Sequence, residues 1–147
     1  MMTEDTIELL RECSSGVKMG INAIDDVIEK TESEKLHGLL RDSRNEHESI
    51  EKDIKKMLNG AGGDADADGV HPIVEGVARL KTGIKLSGEH SDADIADILT
   101  DGCNMGVKNL HRYLNKYPNA DVSARRAAER LVNIEERLCI DMRSFLK

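Results

Sequence analysis

Two ionisable residues sit where a helical seam should be apolar. One seam runs Leu36, Leu40, Ser43, His47, Ile50, Ile54 and Met57; the other runs Ala124, Ala128, Leu131, Glu135, Leu138, Met142 and Phe145. Steps of three and four place one residue per turn along a single helix face. At one constant offset Leu131 falls on Ser43, Glu135 on His47, Leu138 on Ile50 and Met142 on Ile54. Imidazole and carboxylate at matched depth allow a metal site: zinc accepts both, and Cys103 or Cys13 could add a thiolate. They equally allow a buried hydrogen-bonded pair that fixes helix register. A third reading gives the seam to Ile134 and turns Glu135 to solvent.

A second constellation is Asp64, Asp66, Asp68 and Gly69, followed five residues later by Glu75. This is the calcium-loop pattern of an EF-hand. Alternating Asp oxygens, a turning Gly and a closing bidentate Glu can wrap calcium. His71 stands where such loops carry an aliphatic residue, Ala61-Gly62-Gly63 separate the loop from the preceding helix, and no second loop pairs with it. An acidic, Gly-rich linker that keeps a connection solvated explains the same letters.

Other chemistries find little support. Neither Cys13 nor Cys103 has a His or basic neighbour in sequence arranged to activate a thiolate. Gly16, Gly20, Gly102 and Gly106 lie inside helical patterns, where none forms a phosphate-cradling loop. They cost helix propensity, and close approach of a neighbouring helix is the expected reason. Arg79, Lys81 and Lys85 make the most basic local patch, read as a solvated helix face.

The elements that position these residues are helical throughout. Five helices are expected, at about 4–30, 34–58, 72–87, 92–116 and 121–146, all in a single domain spanning 1–147. The first is started by Thr3 with Glu4 and Asp5, the second by Thr31 or Ser33, the fourth by Ser91 and the fifth by Asp121 or Ser123. Asn59-Gly60 stops the second, and Pro72 suits a first helical turn. The short third helix, striped by Val74, Val77, Leu80 and Ile84, belongs to a crossover between two hairpins. The second hairpin is an imperfect copy of the first: Leu99, Cys103, Gly106, Val107 and Lys108 fall on Leu9, Cys13, Gly16, Val17 and Lys18 at one offset.

Composition agrees. Aromatic residues make up 2% of the chain, too few for a sheet core, while Leu, Ile, Met and Ala with many Glu, Lys and Arg suit a bundle. A net charge of −7 disfavours nucleic acid as a partner. No apolar run approaches bilayer-spanning length, so no membrane partner is expected. MMTEDTIELL lacks the features of an export signal, which leads to the expectation of a cytoplasmic protein. Three dispersed cysteines read as buried reduced thiols rather than a disulfide framework.

The run GVARLKTGIKLSGEHSDADIADILTDGCNMGVKNLHRYLNKYPNADVSARRAAERLVNIEERLCIDM, with the hairpin before it, resembles a small ferritin-like family of uncharacterised function. The resemblance implies an all-α, antiparallel four-helix bundle of ferritin-like architecture with an additional crossover helix. Active ferritin-like proteins hold two irons or manganese ions with a Glu from each of two helices and a Glu-x-x-His from each of the others. That pattern fails here. The middle of the first helix offers Cys13, Ser14 and Val17, and Gly102 to Leu114 contains no carboxylate. The second and fifth helices offer Arg44-x-x-His47 and Val132-x-x-Glu135, while the literal Glu34-x-x-His37 sits in a first turn.

The sequence therefore leads to a non-catalytic structural or protein-interaction module with a lost di-metal site, without a cofactor and without assigned site residues. The alternative is a divalent-metal protein, through the acidic loop 64–75 or a remnant bundle site. Leu9, Val27 and Val132 lie outside the seams, beyond what one bundle needs, which leads to the expectation of a homodimer.

Overall fold

The computed structural model describes residues 3–60 and 91–147. Four long helices form: α1 (Glu4–Ile28), α2 (Glu34–Gly60), α3 (Asp92–Lys116) and α4 (Val122–Met142), the last closed by a 3-10 turn, Arg143–Phe145. The expected helix 72–87, the acidic loop 64–75 and the basic residues 79, 81 and 85 lie outside the described residues.

Local chemistry sets the helix ends. Thr3 Oγ1 accepts the Thr6 N–H at 3.2 Å to start α1. Ser33 Oγ accepts from Leu36 N at 3.2 Å, so Ser33 rather than Thr31 caps α2. Ser91 and Asp94 form a reciprocal capping box at α3, satisfying donors that the first turn would otherwise leave bare. Asp121 occupies the N-cap of α4 but makes no side-chain cap bond. Its N–H donates instead to Thr6 Oγ1, 2.7 Å away on α1. Arg125 closes the other side of that turn by donating to the Leu114 and Tyr117 carbonyls.

These end contacts also give the topology. Both oxygens of Asp92, at the start of α3, accept from Glu32 N and Ser33 N at 2.9 Å, just before α2. The start of α1 meets the start of α4 through Thr6 and Asp121. So α2 and α3 run the same way, and α1 and α4 run the other way. Gly60 and Ser91 therefore lie at opposite ends of the bundle, roughly 40 Å apart for helices of this size. This is a four-helix bundle with one long connection.

Two apolar clusters fill the bundle. One gathers Leu9, Leu10, Val17, Ile54, Leu114 and Ala124; the other gathers Ile24, Val27, Leu36, Leu40, Leu99 and Met142. Leu9, Val27 and Val132 are interior residues of the chain itself. Each helix buries a stripe wider than one residue per turn, so these three give no motive for a second copy. The seam of α2 ends on Leu58, fully buried, while Met57 is only partly covered. No helix among the described residues is long and apolar enough to cross a membrane.

Candidate functional site: a polar layer at the bundle centre

Between the two apolar clusters lies a layer to which each helix contributes one residue: Gly20 from α1, His47 from α2, Gly106 from α3 and Glu135 from α4. His47 is fully buried and Glu135 is 8% exposed. His47 Nε2 lies 2.6 Å from Glu135 Oε1, and Nδ1 lies 2.7 Å from the Ser43 carbonyl oxygen. A carbonyl only accepts, so Nδ1 carries a proton and donates. Burial pulls the imidazole toward its neutral form. The hydrogen bond and charge of Glu135, the Ser43 carbonyl and the charge of Glu46 outweigh it, and the pKa rises above 6.5. When protonated, the ring donates from both nitrogens, one of them to a carboxylate, the stronger kind of hydrogen bond.

The glycines make room for this pair. A Cβ on Gly20 would lie 2.7 Å from His47 Nε2 and 2.8 Å from Cδ2, inside any tolerable contact. The neighbouring helix α2 does approach closely here, and what it brings against Gly20 is the His47 side chain. A Cβ on Gly106 would lie 3.5 Å from Glu135 Oε2, an ordinary contact.

Glu135 turns inward, which overturns the reading that gives the seam to Ile134 and points Glu135 to solvent. Ile134 and Glu135 are both buried, at 7% and 8% exposure, because the α4 stripe is wide enough to include neighbours. The pairing of His47 with Glu135 inferred from matched seams is realised in space. The thiols do not extend it into a metal centre. Cys13 belongs to the apolar cluster at the Leu9 end, where burial and nearby Glu12 push its pKa up to about 12. Cys103 sits beside the layer and hydrogen-bonds the Glu135 carboxylate; burial, then Glu135 and Cys139, push its pKa well above the usual thiol range. A thiol held protonated is a poor nucleophile. Cys139 Sγ lies 3.4 Å from Asn104 Oδ1. Among the described residues no group of three or more His, Cys, Asp or Glu side chains could hold a metal ion. Glu34 and His37 stay in the first turn of α2, where His37 Nδ1 lies 3.2 Å from the Ile28 carbonyl.

Comparison with known proteins adds a fold and no activity. The chain is similar to the crystal structure of a DUF305 fragment from Deinococcus radiodurans, with a TM-score of 0.73 over 97% of this chain and 95% of that one. Identity is 13%. At that level the likeness shows an all-helical fold alone. No family model matches the chain, and no curated protein matches it.

Two features of the centre were not singled out from sequence. Glu12 on α1 accepts a hydrogen bond from the Tyr113 hydroxyl on α3; burial and then the Glu12 charge raise the tyrosine pKa to about 12. Near these residues a cleft opens between α1 and α3, reaching Glu135 at its floor. Gly16, Gly20, Gly102 and Gly106 all line it, so the helix-interior glycines were the available signal.

Proposed function

We propose that this chain is a ferritin-like bundle that has given up its di-metal centre and works, without catalysis, as a structural or protein-interaction module. The carrying observation is the central layer. A di-metal site of the ferritin-like kind needs a carboxylate from each of the two helices that open the hairpins; at this depth α1 and α3 supply Gly20 and Gly106. The remaining helices supply one imidazole and one carboxylate, bonded to each other at 2.6 Å. Metal coordination needs a ring-nitrogen lone pair, and both nitrogens of His47 face acceptors. The residues present do not fit the metals.

The course of the chain, two hairpins joined by one long connection, supports the ferritin-like assignment. Three free, buried thiols support a reducing compartment such as the cytoplasm. A lack of catalysis is supported by the layer's chemistry: a ring with both nitrogens engaged has no site from which to accept a proton, and the neighbouring thiol is held protonated.

Equilibrium dialysis against iron, manganese and zinc tests the proposal, with bound metal counted by mass spectrometry. The wild-type chain and the His47→Leu, Glu135→Met double variant should bind alike. Stoichiometric metal on the wild type, lost in the double variant, would overturn it.

A further inference from the structure

The cleft between α1 and α3 has a volume of about 70 Å³ and is lined by Met19, Ala23, Leu99, Met105 and Leu110, with Glu135 at its floor. Its walls are largely apolar, with Glu12, Asn109, Tyr113 and Glu135 as the polar side chains along it, the pattern of a small-molecule site. Glu135 Oε1 is committed to His47. Oε2 faces Gly106, and a carboxylate has acceptor capacity beyond one N–H and one weak thiol donor.

Gly106 is informative because packing does not require it. The three atoms nearest an alanine Cβ there all belong to Glu135, at 3.5 to 3.8 Å, an ordinary contact distance. Glycine in a helix interior is nonetheless the costlier choice, and Gly20, by contrast, is forced by the imidazole. The bare backbone at Gly106 leaves space against Oε2, on the cleft side of a buried acceptor.

We infer that the cleft binds a compact, neutral molecule with an apolar body and one hydroxyl donor, the hydroxyl donating to Glu135 Oε2 and the body lying against Met19, Leu99 and Met105. Neutrality follows from the pairing already present: His47 Nε2 engages Glu135 Oε1 and the Tyr113 hydroxyl donates to Glu12, so a cationic head would lose its hydration to carboxylates that already have partners. Size follows from the volume, roughly half that of an engineered cavity that accepts benzene, which suits a short branched alcohol.

The test is a titration of the full chain with isobutanol, followed by amide shifts in two-dimensional NMR. Saturable shifts are expected around Met19, Ala23, Cys103 and Gly106, with a dissociation constant on the order of 1–10 mM. Isobutylammonium should bind at least about tenfold more weakly. Gly106→Ala should keep the thermal midpoint or raise it while weakening isobutanol at least about fivefold; Ala23→Leu, at unchanged helical content, should abolish binding. Shifts that rise linearly without saturating, an affinity untouched by both substitutions, or equal binding of the ammonium would each overturn the assignment.

Discussion

His47 and Glu135, 88 residues apart in sequence, meet at 2.6 Å in the middle of the bundle. The other polar contacts between the hairpins lie at helix ends, at exposed edges or, for Glu12 and Tyr113, along the cleft between α1 and α3. Arg130 to Asp53 and Arg137 to Glu46 join α2 and α4 on the outside, where ion pairs contribute little. The central pair is different because His47 is fully buried and Glu135 nearly so.

Removing one member should therefore cost more than removing both. His47→Leu leaves the Glu135 carboxylate buried beside a hydrocarbon, and a loss of about 3–5 kcal/mol is expected. Adding Glu135→Met should recover most of it, since an apolar pair of similar volume avoids the desolvation penalty. Chemical denaturation of the two single variants and the double variant gives the coupling energy. Additive losses would show that the two side chains do not act as a pair.

Stability should decline on the alkaline side. The folded pKa of His47 is raised above its unfolded value of 6.5, so the folded chain holds the proton more tightly. That contribution is fully present below pH 6.5 and is lost as pH rises through the folded pKa. The groups setting it are Glu135, the Ser43 carbonyl and Glu46. Thermal midpoints measured upward from pH 6 should fall for the wild type. In the His47→Leu, Glu135→Met variant this part of the slope should vanish.

Glycine substitutions should split by site. Gly38→Ala in α2 meets nothing closer than Arg41 Nη2 at 3.9 Å and should stabilise by up to about 1 kcal/mol through helix propensity. Gly20→Ala drives a methyl into an imidazole pinned at both nitrogens, and a net loss of about 1–3 kcal/mol is expected. Denaturation midpoints of the two variants, compared with wild type, should move in opposite directions.

Cys13 should be chemically silent in the folded protein. It is fully buried, and its pKa is pushed up to about 12. Labelling with a disulfide reagent at pH 8 should wait for unfolding and follow the denaturation curve. Fast labelling under native conditions, mapped to Cys13 by mass spectrometry, would contradict the packing.

Much of this architecture could be read from residue spacing. Steps of three and four marked all four described helices, and Thr3, Ser33 and Ser91 marked three of their starts, because capping is local chemistry. The matched seams even paired His47 with Glu135. What spacing could not supply was the direction Glu135 faces, since Ile134 competed for the same stripe and the structure buries both. Nor could it tell that Gly20 answers to an imidazole, or that Asp121 gives its N–H to Thr6 instead of capping with its side chain. These depend on contacts between helices far apart in sequence. Leu9, Val27 and Val132 fall outside the seams for a related reason: a seam of one residue per turn is narrower than the face a bundle helix buries.

The most direct measurement is the nitrogen NMR spectrum of the His47 ring at neutral pH, with and without one equivalent of zinc. Two protonated ring nitrogens, unchanged by the metal, are expected if an imidazolium–carboxylate pair occupies the centre. An unprotonated Nε2, or a ring resonance that shifts stoichiometrically with zinc, would contradict that reading and return the central layer to metal chemistry.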